Sequence, residues 1–562
     1  MTDLWTALAA AFADAGVAAV FGLPPDAAGL LDAADAEGRL RAIPVRDQRA
    51  GACHAIGYAQ VSGQPVVLEL SSGPAFLNAL VGVSEAASVG APVIVVTTRS
   101  PGNGLGRGGF QELDQQGIGG PLVGWSYRVE RPEMLAWAAR RATALAMQSR
   151  PSVTLLEITS ELAGEEIPQS IGEPNRLARC LPLDSDLERA EQMMRRARRP
   201  LILVGGGARH GGCRAALERL AEVWQAALAT TASGRGTVDE HHALACGLVG
   251  LYATPPLNGV FDNTDVILAV GTRWEETARM NWPGLTAASI IHVDRDVTAF
   301  GQAVPADVPL LGDAGATVRT LLSRISRPMP DDAEPSRRDW LDAVVTAQAK
   351  AQEISWGDFE ISPSSAAIRR VGERLGDSFV FVQDNGIHDI WGYHFPLLRI
   401  GPSSTAIVPG EQTMMGYGLG AAVGAALAER TRPVLATCGD GAFSMSLPAL
   451  LTAAEHRCRV VIIVFDNQGF GWPRVVRREE GRGEERVTRF AAPLSVVELA
   501  RAHGATAATV RSAAELDLFL NEALPLVHDG TAAVVHVPTR DTDIPPGVQR
   551  HFIEARRNGD AD

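Results

Sequence analysis

Short apolar runs alternate with amphipathic stretches in three blocks of the chain. Residues 1–165 contain runs at 18–22, 43–46, 66–70, 93–98 and 153–158, and residues 183–326 contain runs at 201–204, 227–231, 266–270, 290–293 and 308–311. Residues 339–540 contain runs at 379–383, 434–437, 460–465 and 532–537. Strands that alternate with helical periods predict parallel sheets covered on both faces. We therefore predict an α/β protein with three doubly wound parallel-sheet domains, joined by polar linkers at 164–182 and 327–338.

The first and third blocks share one sequence pattern. A shift of 368 residues places Pro65–Gly73 (PVVLELSSG) on Pro433–Gly441 (PVLATCGDG), and the next strand, Val93–Thr97, then falls on Val461–Phe465 without a gap. The pattern predicts the same strand, glycine loop, helix and strand in both blocks. The copies differ in the loop, where only the third block carries a carboxylate.

Composition and charge narrow the class of protein. Hydrophobic residues make up 46% of the chain and charged residues 21%, as in ordinary globular proteins. The net charge of −14 argues against a nucleic-acid partner. Six scattered cysteines form no CxxC pair, which favours free thiols in the cytoplasm. The N-terminal stretch lacks a basic region and no apolar run approaches a bilayer span, so we expect no membrane partner.

Oxygen ligands follow two neighbouring strands of the third block. Asp440 lies in Gly-Asp-Gly after one strand, and Asn467 follows the next strand along the chain. Because parallel strands end at the same edge of a sheet, these side chains are expected to lie close together. Carboxylate and amide oxygens suit Mg²⁺, which commonly completes its shell with substrate phosphates.

With these residues and their spacing, the chain resembles the thiamine-diphosphate (ThDP) enzymes, and most closely their pyruvate oxidase and acetolactate synthase group. Further segments carry the same resemblance: SSGPAFLNALVGVSEAASVGAPVIVVT in block one, the FQE of residues 110–112, and TMMGYGLGAAVGAALA at Thr413–Ala428. The resemblance implies a pyrimidine-binding domain at 1–165, a central domain at 183–326 and a diphosphate-binding domain at 339–540.

The resemblance also assigns residues to the cofactor. Asp440, Asn467 and the backbone carbonyl of Gly469 would bind Mg²⁺, and Met415 would support the bent coenzyme. The remaining cofactor-binding residues that it implies are Ser72, Asn78, Gln111, Thr413, Gly439, Gly441, Ala442 and Phe443.

One departure from the family affects catalysis directly. Nine residues before Gly57, where the family has a glutamate that activates the pyrimidine ring, this chain has Gln48. An amide can donate a hydrogen bond there but cannot exchange a proton. Asp47 is the alternative activator, although on an extended segment it would point to the opposite face.

Two more segments differ from the family, and a third is charged. Pro25-Asp26 replaces Gly-Gly in the entry loop at 20–31. The Gly-Met-His-Gly of FAD-containing relatives is replaced at 250–253, so FAD is possible but not favoured. The charged run at 474–486 offers arginines that could clamp a carboxylate or phosphate, although a solvated, mutually paired run is the preferred interpretation.

The resemblance implies a Mg²⁺- and ThDP-dependent transferase or lyase. It would decarboxylate a 2-oxo acid and transfer the acyl-anion equivalent to a carbonyl acceptor, as acetolactate synthases do. A simple 2-oxo acid decarboxylase, a 2-hydroxy-ketone lyase and a non-catalytic ThDP-binding protein remain as alternatives. Block one lacks metal ligands and block three lacks the activator, so the two cofactor-binding blocks must meet face to face. Because the family's blocks meet across a subunit interface, the resemblance implies a homodimer or homotetramer with active sites at that interface.

Overall fold

A computed structural model of the chain describes residues 3–25, 27–99, 104–147, 152–167, 179–326, 334–481 and 486–559. Three six-stranded sheets form within these residues, and every strand pair in them is parallel. Helices flank each sheet, so the predicted α/β fold class is confirmed. Much of both predicted linkers lies outside the described residues.

The first sheet has the strand order β2-β1-β3-β4-β6-β5. Its strands are β1 (Ala19–Gly22), β2 (Arg41–Pro44), β3 (Val66–Leu70), β4 (Val93–Arg99), β5 (Trp125–Val129) and β6 (Thr154–Thr159). The accompanying helices are α1 (Leu4–Asp14), α2 (Leu30–Glu37), α3 (Gln48–Ser62), α4 (Pro74–Val89), α5 (Gln115–Gly119) and α6 (Leu135–Met147).

The second sheet has the order β12-β11-β10-β7-β8-β9. Its strands are β7 (Pro200–Val204), β8 (Ala227–Thr230), β9 (Ala245–Leu248), β10 (Val266–Val270), β11 (Ser289–Asp294) and β12 (Val308–Leu311). Its helices are α7 (Asp184–Arg196), α8 (Arg214–Trp224), α9 (Asn258–Asp262), α10 (Glu276–Arg279) and α11 (Ala314–Ile325). The next helix, α12 (Glu334–Gln352), crosses the expected domain boundary at 339, and its Trp340 donates to the Pro200 carbonyl of this sheet.

The third sheet has the order β14-β13-β15-β16-β18-β17. Its strands are β13 (Val380–Gln383), β14 (Thr405–Ile407), β15 (Val434–Gly439), β16 (Val460–Asp466), β17 (Thr506–Thr509) and β18 (Ala533–Pro538). Its helices are α13 (Pro363–Leu375), α14 (Tyr417–Ala428), α15 (Asp440–Ser446), α16 (Pro448–Glu455), α17 (Gly471–Glu479), α18 (Val496–Ala502), α19 (Ala513–His528) and α20 (Pro546–Gly559).

The first and third sheets have the same topology, which confirms the shared unit predicted from the 368-residue shift. In both, the strand order reads second, first, third, fourth, sixth, fifth. Strands β3 and β15 are the two copies of the strand that precedes the glycine loop, and β4 and β16 are the strands after it. The sequence did not predict β5, β9, β14 and β17.

Helices α3 and α14 join the first and third sheets in one continuous hydrophobic core. Their backbones approach so closely that a Cβ atom on Gly57 would lie 2.0 Å from the Ala421 carbonyl oxygen. His54 is buried in this contact, and burial lowers its pKa to about 4, so it packs as a neutral ring. Among the described helices, none combines the length and the apolar character that a membrane span requires.

Candidate active site

The strand ends of the third sheet bring two acidic residues together. Gly439 pairs with Phe465 in the β15–β16 ladder, so Asp440 and Asp466 follow directly at the ends of adjacent strands. One Asp440 oxygen accepts a hydrogen bond from the Gly441 N–H at 2.9 Å, and the other accepts from the Gly469 N–H at 3.0 Å. The expected meeting of the two loops is therefore present.

The Asp440 and Asp466 carboxyl groups lie within hydrogen-bonding reach of each other. Burial, followed by the charge of Asp466, raises the pKa of Asp440 to about 7. Burial would also raise the pKa of Asp466, but His536, with Nε2 3.0 Å from Asp466 Oδ2, keeps that pKa below its ordinary value. Two carboxylates in contact resist carrying a negative charge at the same time. A bound divalent cation would offset the repulsion between them. The donor set therefore fits Mg²⁺.

The two loops open into a cavity of about 380 Å³. Of the residues expected to bind the coenzyme or its metal, it is lined by Thr413, Met415, Gly439, Asp440, Gly441, Ala442, Asn467 and Gly469. Phe443 is different, because its side chain is fully buried in the core and only its backbone can face a ligand.

Glycine shapes the floor of this cavity. A Cβ atom on Gly441 would lie 3.3 Å from the Phe470 ring and 3.4 Å from the Met415 methyl carbon. The backbone of the loop thus lies open to a ligand beside Met415. A phosphate-bearing group fits a site of this kind, at the start of a helix beside a carboxylate that a divalent cation could bind.

Two left-handed residues flank the cavity. Thr413 has φ of 46° and Gln468 has φ of 56°, a backbone region that non-glycine residues seldom adopt. The Thr413 carbonyl accepts from the Asn385 side chain at 2.6 Å. Strain of this type is commonly retained at ligand sites, where the surrounding structure holds it in place.

Sequence reasoning missed Asn385 and His388, which also line the cavity. His388 places Nδ1 3.3 Å from Ser364 Oγ and Nε2 3.2 Å from Thr539 Oγ1. Both residues follow β13, a strand that the sequence did predict, so their position after a parallel strand was the available signal.

The first domain gathers a second group of expected residues. Asn78 donates from one amide group to Gln48 Oε1 at 2.8 Å and to Asp47 Oδ2 at 3.0 Å. Asp47 also caps α3 by accepting from the Ala50 N–H at 2.9 Å. The expectation that Asp47 points away rested on an extended segment, but Gln48 is the first residue of α3, so both side chains reach Asn78.

Ser72 and Gln111 form a further contact in the same domain, with Ser72 Oγ donating to Gln111 Oε1 at 3.4 Å. Gln111 has φ of 55°, and its backbone lies against Gly73, where a Cβ atom would be 3.0 Å from the Gln111 carbonyl oxygen. The glycine thus permits the close approach of the two loops.

The two groups of residues do not meet within one chain. Among the described residues that line the 380 Å³ cavity, none belongs to the first domain. The first domain instead binds the backbone of the segment at 410–415, which contributes to the cavity wall. Arg49 donates to the Met415 carbonyl, and Glu85 accepts from the Gly410 and Met414 N–H groups.

The central domain has its own glycine-lined cavity of about 90 Å³. Gly206, Gly207 and Gly271 form part of its wall together with Arg273 and Asp294. Burial raises the pKa of Asp294 to about 6. The segment at 250–253 contains Tyr252, whose ring stacks on Tyr393 with the ring centroids 4.1 Å apart.

The other segments singled out in the sequence are only partly described. Asp26 of the entry loop and residues 482–485 of the charged run lie outside the described residues. Within the run, Arg474 is buried and not solvated as preferred from the sequence, whereas Arg478 is exposed, 3.7 Å from Glu479.

Three family models match the chain. They are the thiamine pyrophosphate enzyme N-terminal TPP binding domain over residues 2–118, the central domain over 187–321 and the C-terminal TPP binding domain over 384–537.

Curated relatives match most of the chain. A probable acetolactate synthase large subunit of Methanocaldococcus jannaschii is 29% identical over 532 residues, covering 91% of this chain and 88% of the relative. The acetolactate synthase large subunit of Parasynechococcus marenigrum is 31% identical over 500 residues, covering 84% of this chain and 77% of the relative. The acetolactate synthase isozyme 3 large subunit of Escherichia coli is 27% identical over 537 residues, covering 93% of this chain and 92% of the relative.

Proposed function

The chain belongs to the thiamine pyrophosphate enzyme family, within its acetolactate synthase-like group, and is a ThDP-dependent enzyme of the carboligase or lyase type. From this premise we propose that it uses Mg²⁺, decarboxylates a 2-oxo acid and joins the resulting acyl unit to a carbonyl acceptor. The observation that carries the proposal is the Asp440–Asp466 pair beside Asn467, in the domain that matches the family's C-terminal TPP binding domain.

The third domain would hold the metal and the diphosphate. Asp440 and Asn467 offer side-chain oxygens, Gly469 offers its carbonyl, and the phosphates would lie at the start of α15. Met415 and Thr413 form the wall against which the coenzyme would rest. When bound, ThDP supplies the carbanion-stabilising chemistry that loss of CO₂ from a 2-oxo acid requires.

We propose that Gln48 contacts the pyrimidine ring as a hydrogen-bond donor. Asn78 already donates to Gln48 Oε1, which leaves the Gln48 NH₂ group available for a ligand. Asp47 is less suited, because its two oxygens accept from Ala50 and Asn78 respectively. Gln48 cannot exchange a proton, so coenzyme activation is expected to be slower than with a glutamate by about 10²–10⁴ where that step limits the rate.

We propose a homo-oligomer with shared active sites, because the two groups line no common cavity in the part of the chain that the structure describes. The Gln48–Asn78 group is half-exposed, and neither residue lines the cavity of its own chain. Exposed apolar side chains flank each half: Leu77 and Val81 on α4, and Met445 and Leu451 on α15 and α16, with 38–47% exposure. A second copy that brings Gln48 to the partner's cavity would cover them.

FAD is not part of the proposal. The central-domain cavity of about 90 Å³ is well below the roughly 300 Å³ at which ligand pockets usually begin. A flavin absorbance spectrum in the purified protein would overturn this point.

The reaction is tested with purified protein, Mg²⁺, ThDP and ¹³C-labelled pyruvate, followed by NMR. The expected result is CO₂ together with a carbon–carbon coupled product. CO₂ and free aldehyde without coupling would indicate a simple decarboxylase. Bound ThDP without turnover of pyruvate or other 2-oxo acids would indicate a non-catalytic ThDP-binding protein.

The shared site is tested by mixing two inactive variants. One carries Asp440→Ala, and the other carries Gln48→Ala with Asn78→Ala. Random re-association into dimers would restore about a quarter of the sites, because one site of each mixed dimer has both halves intact. Mixtures that stay as inactive as the separate variants would contradict a site shared between subunits.

A further inference from the structure

Arg474 lies in the charged run that follows the metal loop, yet it does not behave as a surface residue. It is the fourth residue of α17, and only 7% of its surface is exposed. Burying a guanidinium is costly unless its N–H groups and its charge are satisfied. The partners of Arg474 therefore show what the burial is used for.

Those partners are backbone carbonyls of the metal loop and of the segment beside it. Nη1 donates to the Asn467 carbonyl at 3.1 Å, and Nη2 donates to the carbonyls of Gln468 at 3.3 Å and Thr488 at 3.0 Å. Nη1 also donates to the Asp541 carboxylate, whose other oxygen accepts from Arg489 at 2.9 Å. One guanidinium thus ties together three segments of the third domain.

The loop held in this way has an unusual backbone. Gln468 is left-handed, a backbone conformation that is unfavourable for a residue with a Cβ atom. Gly469 follows, and a Cβ atom there would lie 2.0 Å from the Thr488 carbonyl oxygen and 2.3 Å from Arg474 Nη2. The packing of Arg474 thus requires glycine at this position. Two successive carbonyls turn towards Arg474, while the Gly469 N–H turns to Asp440.

Substrate binding does not explain this arrangement. Among the described residues, the cavity wall includes Trp472 and Pro473 of α17 but not Arg474. Nη1 and Nη2 of Arg474 both donate to groups of the protein itself. A substrate carboxylate would have to displace Asp541 or a loop carbonyl to reach the guanidinium.

We propose that Arg474 is a positioning residue for the metal site: it fixes the backbone of residues 467–469 in the shape that presents Asn467 and Gly469 to Mg²⁺, with Asp541 as its counter-ion. This inference rests on the proposed function of the cavity. Residues that orient metal ligands without touching the metal typically change metal affinity by about 10–100-fold when they are replaced.

The test compares the cofactor-free full-length protein with Arg474→Met, Arg474→Lys and Asp541→Asn. Arg478→Met is the matched control, since Arg478 is exposed one turn later on the same helix. Isothermal titration calorimetry measures the Kd of ThDP at fixed Mg²⁺, and electron paramagnetic resonance of Mn²⁺ measures metal affinity in the presence of ThDP. Thermal unfolding without cofactor reports on folding.

Arg474→Met is expected to raise both Kd values by about 10–100-fold, and Arg474→Lys by a smaller factor because lysine keeps the charge but loses the planar fork. Arg478→Met should stay within twofold of wild type. Saturating Mg²⁺ and ThDP should restore kcat in Arg474→Lys, since the coenzyme contacts are intact once the loop is occupied.

Wild-type affinity in Arg474→Met would overturn the inference. If that variant does not fold, unchanged affinity in both Arg474→Lys and Asp541→Asn would overturn it equally. Failure of the wild-type protein itself to bind ThDP would instead overturn the proposed function, so the two failures are distinguishable.

Discussion

Replacing Asp440 with asparagine should stabilise the cofactor-free protein at alkaline pH while removing its affinity for Mg²⁺ and ThDP. Asp440 is 2% exposed and faces Asp466 across the ends of two adjacent strands. An asparagine can donate a hydrogen bond to Asp466 where the aspartate repels it. The same change removes a metal ligand, so stability and binding should move in opposite directions.

The size of the effect follows from the pKa of Asp440, which is raised from 3.8 to about 7 in the folded protein. Between these values the folded protein holds a proton that the unfolded chain has lost, so its stability falls as the pH rises. At about 1.4 kcal/mol per pH unit, the two units from pH 5 to pH 7 correspond to roughly 2–3 kcal/mol. Asparagine leaves one of the two backbone N–H groups at this position without its acceptor, at a cost of about 1 kcal/mol.

The free energy of unfolding should therefore fall by about 2–3 kcal/mol more in the wild type than in Asp440→Asn between pH 5 and pH 8. At pH 8 the whole shift of the Asp440 pKa counts against the wild type, about 4 kcal/mol, so after the lost acceptor is subtracted the variant should be the more stable protein by about 3 kcal/mol. Urea unfolding of the cofactor-free proteins measures this difference. Burial raises the pKa values of Asp384 and Asp294 to about 6. Both residues are present in both proteins, so their contributions to the pH dependence cancel in the difference.

Asp529→Asn, at an exposed position, serves as the control and should follow the wild type across the whole pH range. Parallel stability curves for the wild type and Asp440→Asn would refute the reasoning, because they would mean that burial and the charge of Asp466 do not raise the pKa of Asp440. Retained ThDP affinity in Asp440→Asn would refute the metal assignment.

Three further predictions concern activation of the coenzyme, the packing of α3 on α14, and a buried ion pair of the central domain. Gln48→Glu should speed exchange of the coenzyme C2 proton by about 10²–10⁴, as measured by NMR, and an unchanged rate would argue against Gln48 as the pyrimidine contact. Gly57→Ala should destabilise the protein by about 3 kcal/mol or more in urea, because the new methyl group would overlap the Ala421 carbonyl oxygen, and a loss below about 1 kcal/mol would contradict that contact. Glu240→Ala should cost about 3–5 kcal/mol by the same assay, since it leaves Arg235 buried without its ion pair at 2.9 Å, and wild-type stability would show that the pair is not needed.

The buried centre of each sheet could be predicted from the sequence because those strands carry continuous apolar runs. Strands β3 and β10 begin and end where the pattern placed them, at Val66–Leu70 and Val266–Val270. The strands that the sequence missed are all at sheet edges: β5, β9, β14 and β17. An edge strand has a neighbour on one side only, so its sequence needs no unbroken apolar run.

The candidate site, like the fold, could be predicted only in part. Asp440 and Asn467 could be placed because each follows a predictable strand, and parallel strands share one edge. The contact between Asn78 and Gln48 joins residues 30 positions apart, and the one between Arg474 and Asp541 joins residues 67 positions apart. Neither has a periodic signal, so the orientation predicted for Asp47 and the solvent exposure predicted for Arg474 were both wrong.

The proposed function depends above all on Asp440 and Asn467 holding a magnesium-bound ThDP in the third domain. Calorimetric titration of ThDP into the cofactor-free protein, with and without Mg²⁺, measures this directly. We expect one ThDP to bind per chain in the presence of Mg²⁺, and binding to be lost in Asp440→Ala. No heat of binding in the wild type, or equal binding by Asp440→Ala, would contradict it.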